Sequence, residues 1–372
     1  MTKESRPDGH RMICGSGWEG LLGLTASDSL PGCRPVKMKT YCTIFLLLLM
    51  WHVCTAVAQE FDNTEPRWKQ LSQAYGFVVV QRALLELIES KFPDLAKETK
   101  EAWFAFESSA FGESVKGLEV ELAKELGDRL PEFKEELRSQ MDDLLPNQSL
   151  SSEQATAFLA EVTARSKGQL PETIRSTLLS VHPRYSENPA LELAEGWKQT
   201  FQTKDHPKAK GVDFSVSVPA SWSRGEGYRP NIIQVFRSRN GHGPIVCTLL
   251  VKTLPLPAGY KLTKSESKDL FQPGALNHLI PEGSTFIEGK EIVLEGAPAG
   301  MIVWDTTAQR LDVTLTMRVT LFVTVCESSM IFLQFGTPEM PDAEEPLDEL
   351  QARFLPTYMA TANTLVLNDL YK

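Results

Sequence analysis

GVDFSVSVPASW, from Gly211 to Trp222, is where the chain changes period. Val212, Phe214, Val216 and Val218 alternate with Asp213, Ser215 and Ser217, which puts the apolar set on one face of a half-buried strand. Pro219 lacks the N–H that a ladder needs and ends it. Upstream, apolar residues recur at helical spacing; downstream they alternate. The switch predicts a helical domain followed by an antiparallel sheet with covering helices, an α+β protein.

In the helical part, LSQAYGFVVVQRALLELIESKF places Tyr75, Val78, Val79, Arg82 and the Leu84–Ile88 cluster on one broad stripe. Pro93 and Pro131 open the next segments, as proline does in a first helical turn. SLSSEQATAFLAEVTARSKG has Ser151 or Ser152 as N-cap and Gly168 as stop. PETIRSTLLSVHP and NPALELAEGW are shorter helices, with His182 at a helix end. Short proline- and glycine-punctuated links predict an antiparallel bundle of five to seven elements. Trp103, Phe104, Phe106 and Phe111 are expected in its core, and charged faces such as KEELRSQMDD in solvent. TFQTKDHPKAKG, Thr200–Gly211, reads as a polar linker that leaves His206 in solvent.

Beyond the first strand, NIIQVFRSR and PIVCTLLVKTL flank Asn240-Gly241-His242-Gly243, a hairpin signal. TKSESKDLFQPGALNHL predicts a helix broken near Pro273. TFIEGKEIVLEG, APAGMIVWDTTAQ, LDVTLTMRVTLFVTVCE and SSMIFLQFGTP predict four more strands, and a helix over about Leu347–Thr364 closes the chain. Hairpin connections would allow one sheet face to be polar.

KGVDFSVSVPASW, RPNIIQVFRS, the long hairpins of LDVTLTMRVTLFVTVCESSMIFLQFGTP and the closing ATANTLVLND together resemble the PsbP-like family. The resemblance covers roughly the C-terminal half of the chain after its leader. It implies a PsbP-like α/β/α sandwich, a scaffold for proteins or small ligands that usually has no catalytic centre. The helical domain replaces the short flexible arm of the photosynthetic members, so no photosystem role and no site residue is carried over.

Destination is written upstream. MKTYCTIFLLLLMWHVCTAVAQEF, Met38–Phe61, has Lys37 and Lys39 before a short apolar run, then Ala56-Val57-Ala58. This is a secretory signal peptide cut between Ala58 and Gln59; the run is well short of the roughly 20 residues of a membrane span. The expected organisation is 1–37, an extension without hydrophobic period; 38–58, signal; 59–199, helical domain; 200–211, linker; and 212–372, sandwich. Periplasm or medium is the expected location, with membrane attachment only if the signal is retained. Asn147-Gln148-Ser149 would be a glycan acceptor only in a eukaryotic secretory pathway.

The chain carries a formal charge of −10, and removing the leader takes away more basic than acidic residues. Such a balance argues against a nucleic-acid partner. Past the signal only Cys247 and Cys326 remain, both in strand segments. In an exported protein they read as a disulfide or as two buried thiols. No G-x-S-x-G, H-E-x-x-H, C-x-x-C or phosphate loop occurs. Ser265-Glu266-Ser267-Lys268 fits S-x-x-K without its companion motifs, and Asp342-Ala343-Glu344-Glu345 suits a helix N-terminus without a metal.

No catalytic residue, cofactor or metal is therefore expected. The anticipated function is that of a binding or assembly protein of the envelope, its partner another envelope protein or a small ligand. The alternatives are a hydrolase with its site between the two halves and a carrier with a cavity in the sandwich. The segment Ser221–Pro230, with Trp222, Arg224, Tyr228 and Arg229, has contact-type composition and is the candidate interaction loop. Its other reading is a plain loop whose Trp222 plugs the sandwich edge. Intact mass and N-terminal sequencing of the protein from its host should find a chain beginning at Gln59. A chain beginning at Met38 or Met1 would mean that the signal is retained.

Overall fold

The computed structural model describes residues 65–144, 150–257, 260–310, 313–339 and 345–371, all within one compact unit. The signal with Ala58 and Gln59, the sequon at Asn147 and most of the acidic run at Asp342 lie outside these residues.

Among the described residues eight α-helices come first: α1 (Arg67–Lys91), α2 (Ala96–Glu107), α3 (Ala110–Leu126), α4 (Leu130–Leu144), α5 (Ser152–Ser166), α6 (Glu172–Ser180), α7 (Pro183–Glu187) and α8 (Ala190–Ala194). The count exceeds the expected range because Pro183 starts a further turn instead of only ending α6. Helix α1 buries Leu71, Ala74, Val78, Leu85 and Ile88, a helical stripe that meets Phe106, Phe111, Leu118 and Leu159. Phe104 departs from expectation: α2 buries Thr99, Ala102 and Phe106, so Phe104 falls on the opposite face and is 69% exposed. Ser151 caps α5 in a reciprocal capping box with Gln154. Gly168 has φ +90°, and a Cβ there would also lie 2.6 Å from the Trp197 ring.

The expected linker is partly a strand. β1 (Lys198–Gln202) pairs antiparallel with β2 (Phe214–Pro219), because Thr200 and Phe201 extend an alternating run that composition alone hides. The Nδ1 of His206 accepts from the Lys208 amide and caps a short turn; the ring is half-buried, not in open solvent.

The remaining strands are β3 (Ser223–Glu226), β4 (Ile232–Arg237), β5 (Val246–Thr253), β6 (Thr285–Leu294), β7 (Ala297–Arg310), β8 (Val313–Cys326) and β9 (Ser329–Pro338). They form one antiparallel sheet in the order β3-β4-β5-β9-β8-β7-β6. Helices α9 (Lys264–Leu270) and α10 (Pro273–Leu276) interrupt the strands, parted near Pro273 as expected. Helix α11 (Leu347–Ala362) and β10 (Val366–Leu367) follow, and β10 completes a small sheet β1-β2-β10. The Asn240-Gly241 hairpin is present, with both residues in left-handed backbone at φ 52° and 96°.

No face of the central strands is polar, contrary to expectation. Leu249 and Val251 of β5, Phe322 of β8 and Phe335 of β9 pack with Val216 of the small sheet and Tyr358 of α11. Leu250, Phe332, Val319 and Val323 pack on the other side with Phe271 and Leu276. That second cover lies so close that a Cβ on Gly300 would stand 2.6 Å from Leu276. A layer thus covers each face, giving the α+β sandwich.

The register also corrects the disulfide. Cys247 lies opposite Phe335, whereas Cys326 lies opposite Ser329 and level with Thr253, at the other end of β5. That is a separation of about 20 Å along the strands, too far for an S–S bond. Both are buried thiols that are not joined to one another.

The helical and sheet parts meet through specific polar contacts. The Asn240 side chain donates to Gln70 Oε1 at 3.0 Å and to Thr177 Oγ1 at 3.2 Å. Arg353 donates to the Ser186 carbonyl at 2.6 Å. Glu192 of α8 is buried and accepts from the Ser221 amide and hydroxyl, both at 2.6 Å. These contacts occupy the joint where a hydrolase cleft was the alternative expectation.

Burial pushes the Glu192 carboxyl up to about 7, although the Ser221 bonds act in the opposite direction. Its folded pKa lies above its unfolded one. The associated stability is therefore complete below the ordinary carboxylate range and is lost as pH rises through about 7. The loss amounts to about 3 kcal/mol. Urea titrations at pH 5 and pH 8 should show Glu192→Gln gaining stability relative to wild type as pH rises. An unchanged difference between the two proteins would contradict this assignment.

Candidate functional site

The candidate interaction loop separates into core and surface. Trp222 is 3% exposed and packs edge-on against Phe335, ring centroids 6.5 Å apart; it is a core residue, and its place in a contact surface is corrected. Its neighbour Ser221 is tied to Glu192, which fixes where the loop begins. Arg224 lies exposed on β3, the edge strand, and Tyr228 is 69% exposed. Arg229 is half-buried, and its carbonyl accepts from the Ile232 amide at 3.0 Å. On α9, Ser265 is exposed and Lys268 sits 3.6 Å from Glu291, so the S-x-x-K match assembles no catalytic group.

A cavity of about 670 Å³ opens elsewhere, in the helical bundle between α1, α2, α3 and the α6–α7 turn. Its walls come from Tyr75, Val78 and Val79 of α1, Trp103 and Phe106 of α2, and Val115 of α3. The centroids of Trp103 and Phe106 lie 6.1 Å apart at 28°, an aromatic wall. Arg82, Glu107, Glu113, Lys116, Glu119 and Arg184 add charge at exposed positions around it. Several are already engaged. The Arg82 guanidinium stands 5.6 Å over the Trp103 ring and donates to Glu86 at 3.2 Å. Glu119 pairs with Lys134 at 3.5 Å, and Arg184 with Glu195 at 2.7 Å.

His182 is the cavity's buried polar group, 1% exposed. Its position begins with a glycine. A Cβ on Gly117 would stand 1.8 Å from the Val181 carbonyl oxygen and 3.5 Å from Pro183. Glycine in mid-helix thus lets the Val181-His182-Pro183 turn lie directly on α3, one helical turn from Glu113. His182 Nε2 comes 3.3 Å from Glu113 Oε2, and the ring stacks on Tyr185 at 4.0 Å and 19°. The Tyr185 hydroxyl donates to Glu195 at 2.5 Å, which anchors the stack from behind. Neither ring nitrogen of His182 makes an aligned hydrogen bond among the described residues.

Burial holds the imidazole below its usual pKa; Glu113 and Glu195 oppose that shift and Arg184 reinforces it. His182 is therefore neutral at pH 7, with one nitrogen donating and the other accepting. No serine, threonine or cysteine lines the cavity among the described residues, so no Ser–His or Cys–His pair forms there. The arrangement suits binding: apolar walls, charges around them and one buried polar group.

The sequence marked Tyr75, Val78, Val79 and Arg82 as one stripe, and all four line this cavity. It read His182 only as a helix end. The signal that was available is Gly117 within GESVKGLEVELAKEL, since a glycine inside a helical pattern often marks a close approach.

No protein-family model and no curated protein matches the chain. Among solved structures, a protein from Bacteroides thetaiotaomicron aligns at 12% identity over 46% of this chain and 48% of its own, with a TM-score of 0.27. The chain thus spans about half the length of that structure. LpqN, described as involved in cell envelope biogenesis of Mycobacterium tuberculosis, aligns at 15% identity over 48% of this chain and 96% of its own, also at 0.27. Likenesses of this size carry no functional argument, and the site's own geometry has to supply one.

Gly117→Ala should displace the 181–183 turn and cost on the order of 1–3 kcal/mol. Thermal unfolding would measure the loss, and NMR titration of His182 should show its pKa returning toward the ordinary imidazole range. A variant with wild-type stability and an unmoved His182 would refute the packing account.

Proposed function

We propose that this is an exported binding protein without a catalytic centre, which holds a small organic molecule in the cavity of its helical bundle. The observation that carries the reading is a cavity with an aromatic and aliphatic wall, beside the buried, neutral His182, lined by no serine, threonine or cysteine among the described residues. The signal-peptide pattern at Met38–Ala58 supports export, and among the described residues no helix is long and apolar enough to cross a membrane. Work in the envelope follows from that destination. The seven-stranded sheet, covered on both faces, would serve as a PsbP-like scaffold beside the bundle. This cavity lies in the helical half, whereas the carrier alternative placed one in the sandwich.

A second reading is carried by Tyr228 and Arg224, both exposed at the β3 edge. There the protein would touch an envelope partner. A photo-crosslinking residue at Tyr228 in the native host should then yield one dominant product, absent from the Arg224→Ala background.

For the first reading, calorimetry with 2-naphthol as probe should give saturable one-to-one binding to the wild type. Filling the cavity with Val79→Trp should abolish it. No binding to the wild type, or equal binding to the variant, would overturn the cavity reading.

A further inference from the structure

We infer that β6, an outer strand of the seven-stranded sheet, pairs antiparallel with β6 of a second copy of this chain, about a two-fold axis at Gly289. The two edges of the sheet differ. β3 has four residues, whereas β6 runs for ten and has no strand on its outer side among the described residues. Its outward N–H and C=O groups are a template for another strand. Seven of the ten residues are exposed, with Phe286, Ile287 and Val293 among them. Large apolar side chains along a long open edge mark a contact surface.

The charges on this edge say which strand fits. Glu288 and Lys290 lie opposite Val303 and Met301 of β7, so they share one face of the sheet, and they form an ion pair at 3.0 Å. In a symmetric antiparallel pair, residues at equal distances on either side of the axis face each other. With the axis at Gly289, Glu288 of each copy faces Lys290 of the other, and symmetry makes the contact twice. An axis at Glu288, Lys290 or Glu291 would set like charges directly opposite. An axis at Ile287 would set Glu288 against Phe286, and one at Ile292 would set Glu291 against Val293. Charge thus selects Gly289.

Gly289 also suits the axis sterically. Residues facing each other across antiparallel strands have Cα atoms about 4.5–5.5 Å apart. A Cβ on Gly289 would lie 3.1 Å from the Phe286 ring and 3.7 Å from Leu276, so that ring leans over the glycine on the α10 side of the sheet. At the axis the Phe286 rings of the two copies then meet at the separation of an aromatic pair. Ring surface that is exposed in the single chain is buried by the contact. The backbone bulge between Phe286 and Glu288 bends the strand beyond this centre and limits the ladder to a short stretch.

Engineered disulfides read the register. Position 288 faces position 290 of the other copy within disulfide reach, whereas like positions lie on diagonals of about 7–8 Å. Both positions are exposed, so the substitutions leave the core intact. Under mild oxidation, a mixture of Glu288→Cys and Lys290→Cys chains should give a cross-linked dimer that neither variant gives alone. No product from the mixture, or equal yield from one variant alone, would overturn the register. In sedimentation equilibrium the full mature chain should self-associate. Glu288→Lys should weaken this by about tenfold, because two facing pairs turn repulsive, and Glu288→Lys/Lys190→Glu is replaced here by the charge swap Glu288→Lys with Lys290→Glu, which should restore it. A wild type still monomeric at about 1 mM would overturn the pairing and leave β6 to a strand of a different chain. A dimer indifferent to Glu288→Lys would overturn it too, by placing the contact on another face.

Discussion

Burial of the seven-stranded sheet on both faces is the constraint from which the rest follows. All ten residues of β9 are buried, and its neighbours β5 and β8 carry apolar side chains on both sides. Such a sheet is stable only between two covering layers. One layer is α11 with the small sheet, and the other is α9 with α10, seated against Gly300. The first also contains a closed polar set: Gln351 bonds Thr320 and Thr337, and Thr337 bonds the Tyr358 hydroxyl, at 2.7 to 2.8 Å. With these bonds made, Gln351 and its threonine partners sit inside the sandwich without an unmet hydrogen-bond cost.

The small sheet also joins the two parts of the chain. Its first strand leaves the bundle at Trp197, whose ring meets Phe111 of α3 edge-on at 4.9 Å. Its second strand ends at the Pro219–Ser221 turn, gripped by Glu192. The Asn240 hairpin tip then reaches back to α1 and α6. These contacts, with that of Arg353 on the Ser186 carbonyl, fix the bundle against the sheet. At the cavity, Gly117 and Glu113 of α3 set the position of His182.

Legibility followed the range of the interactions. The helix stripe of α1, the Ser151 cap, the broken helix at Pro273 and the Asn240-Gly241 hairpin all depend on residues within one or two turns of each other, and all could be read. β1 was missed because its pairing with β2 is what makes Lys198–Gln202 a strand; its polar composition resembles a linker. Trp222 could not be assigned to core or surface, because the deciding neighbour, Phe335, is more than a hundred residues away. The bridge between Cys247 and Cys326 failed for a related reason: strand type was legible, but register was not.

The sequence by itself determined the order of elements, the change from helical to alternating period at Gly211, the acidic balance and the secretory pattern before Gln59. These are local properties, fixed by neighbouring side chains and backbone preferences. Only the tertiary structure decided that both sheet faces are covered, that the cysteines stand apart and that His182 is buried beside Glu113 on a cavity. Each of these depends on packing between segments distant in the chain, where a single close approach, such as that at Gly117, sets which side chains meet.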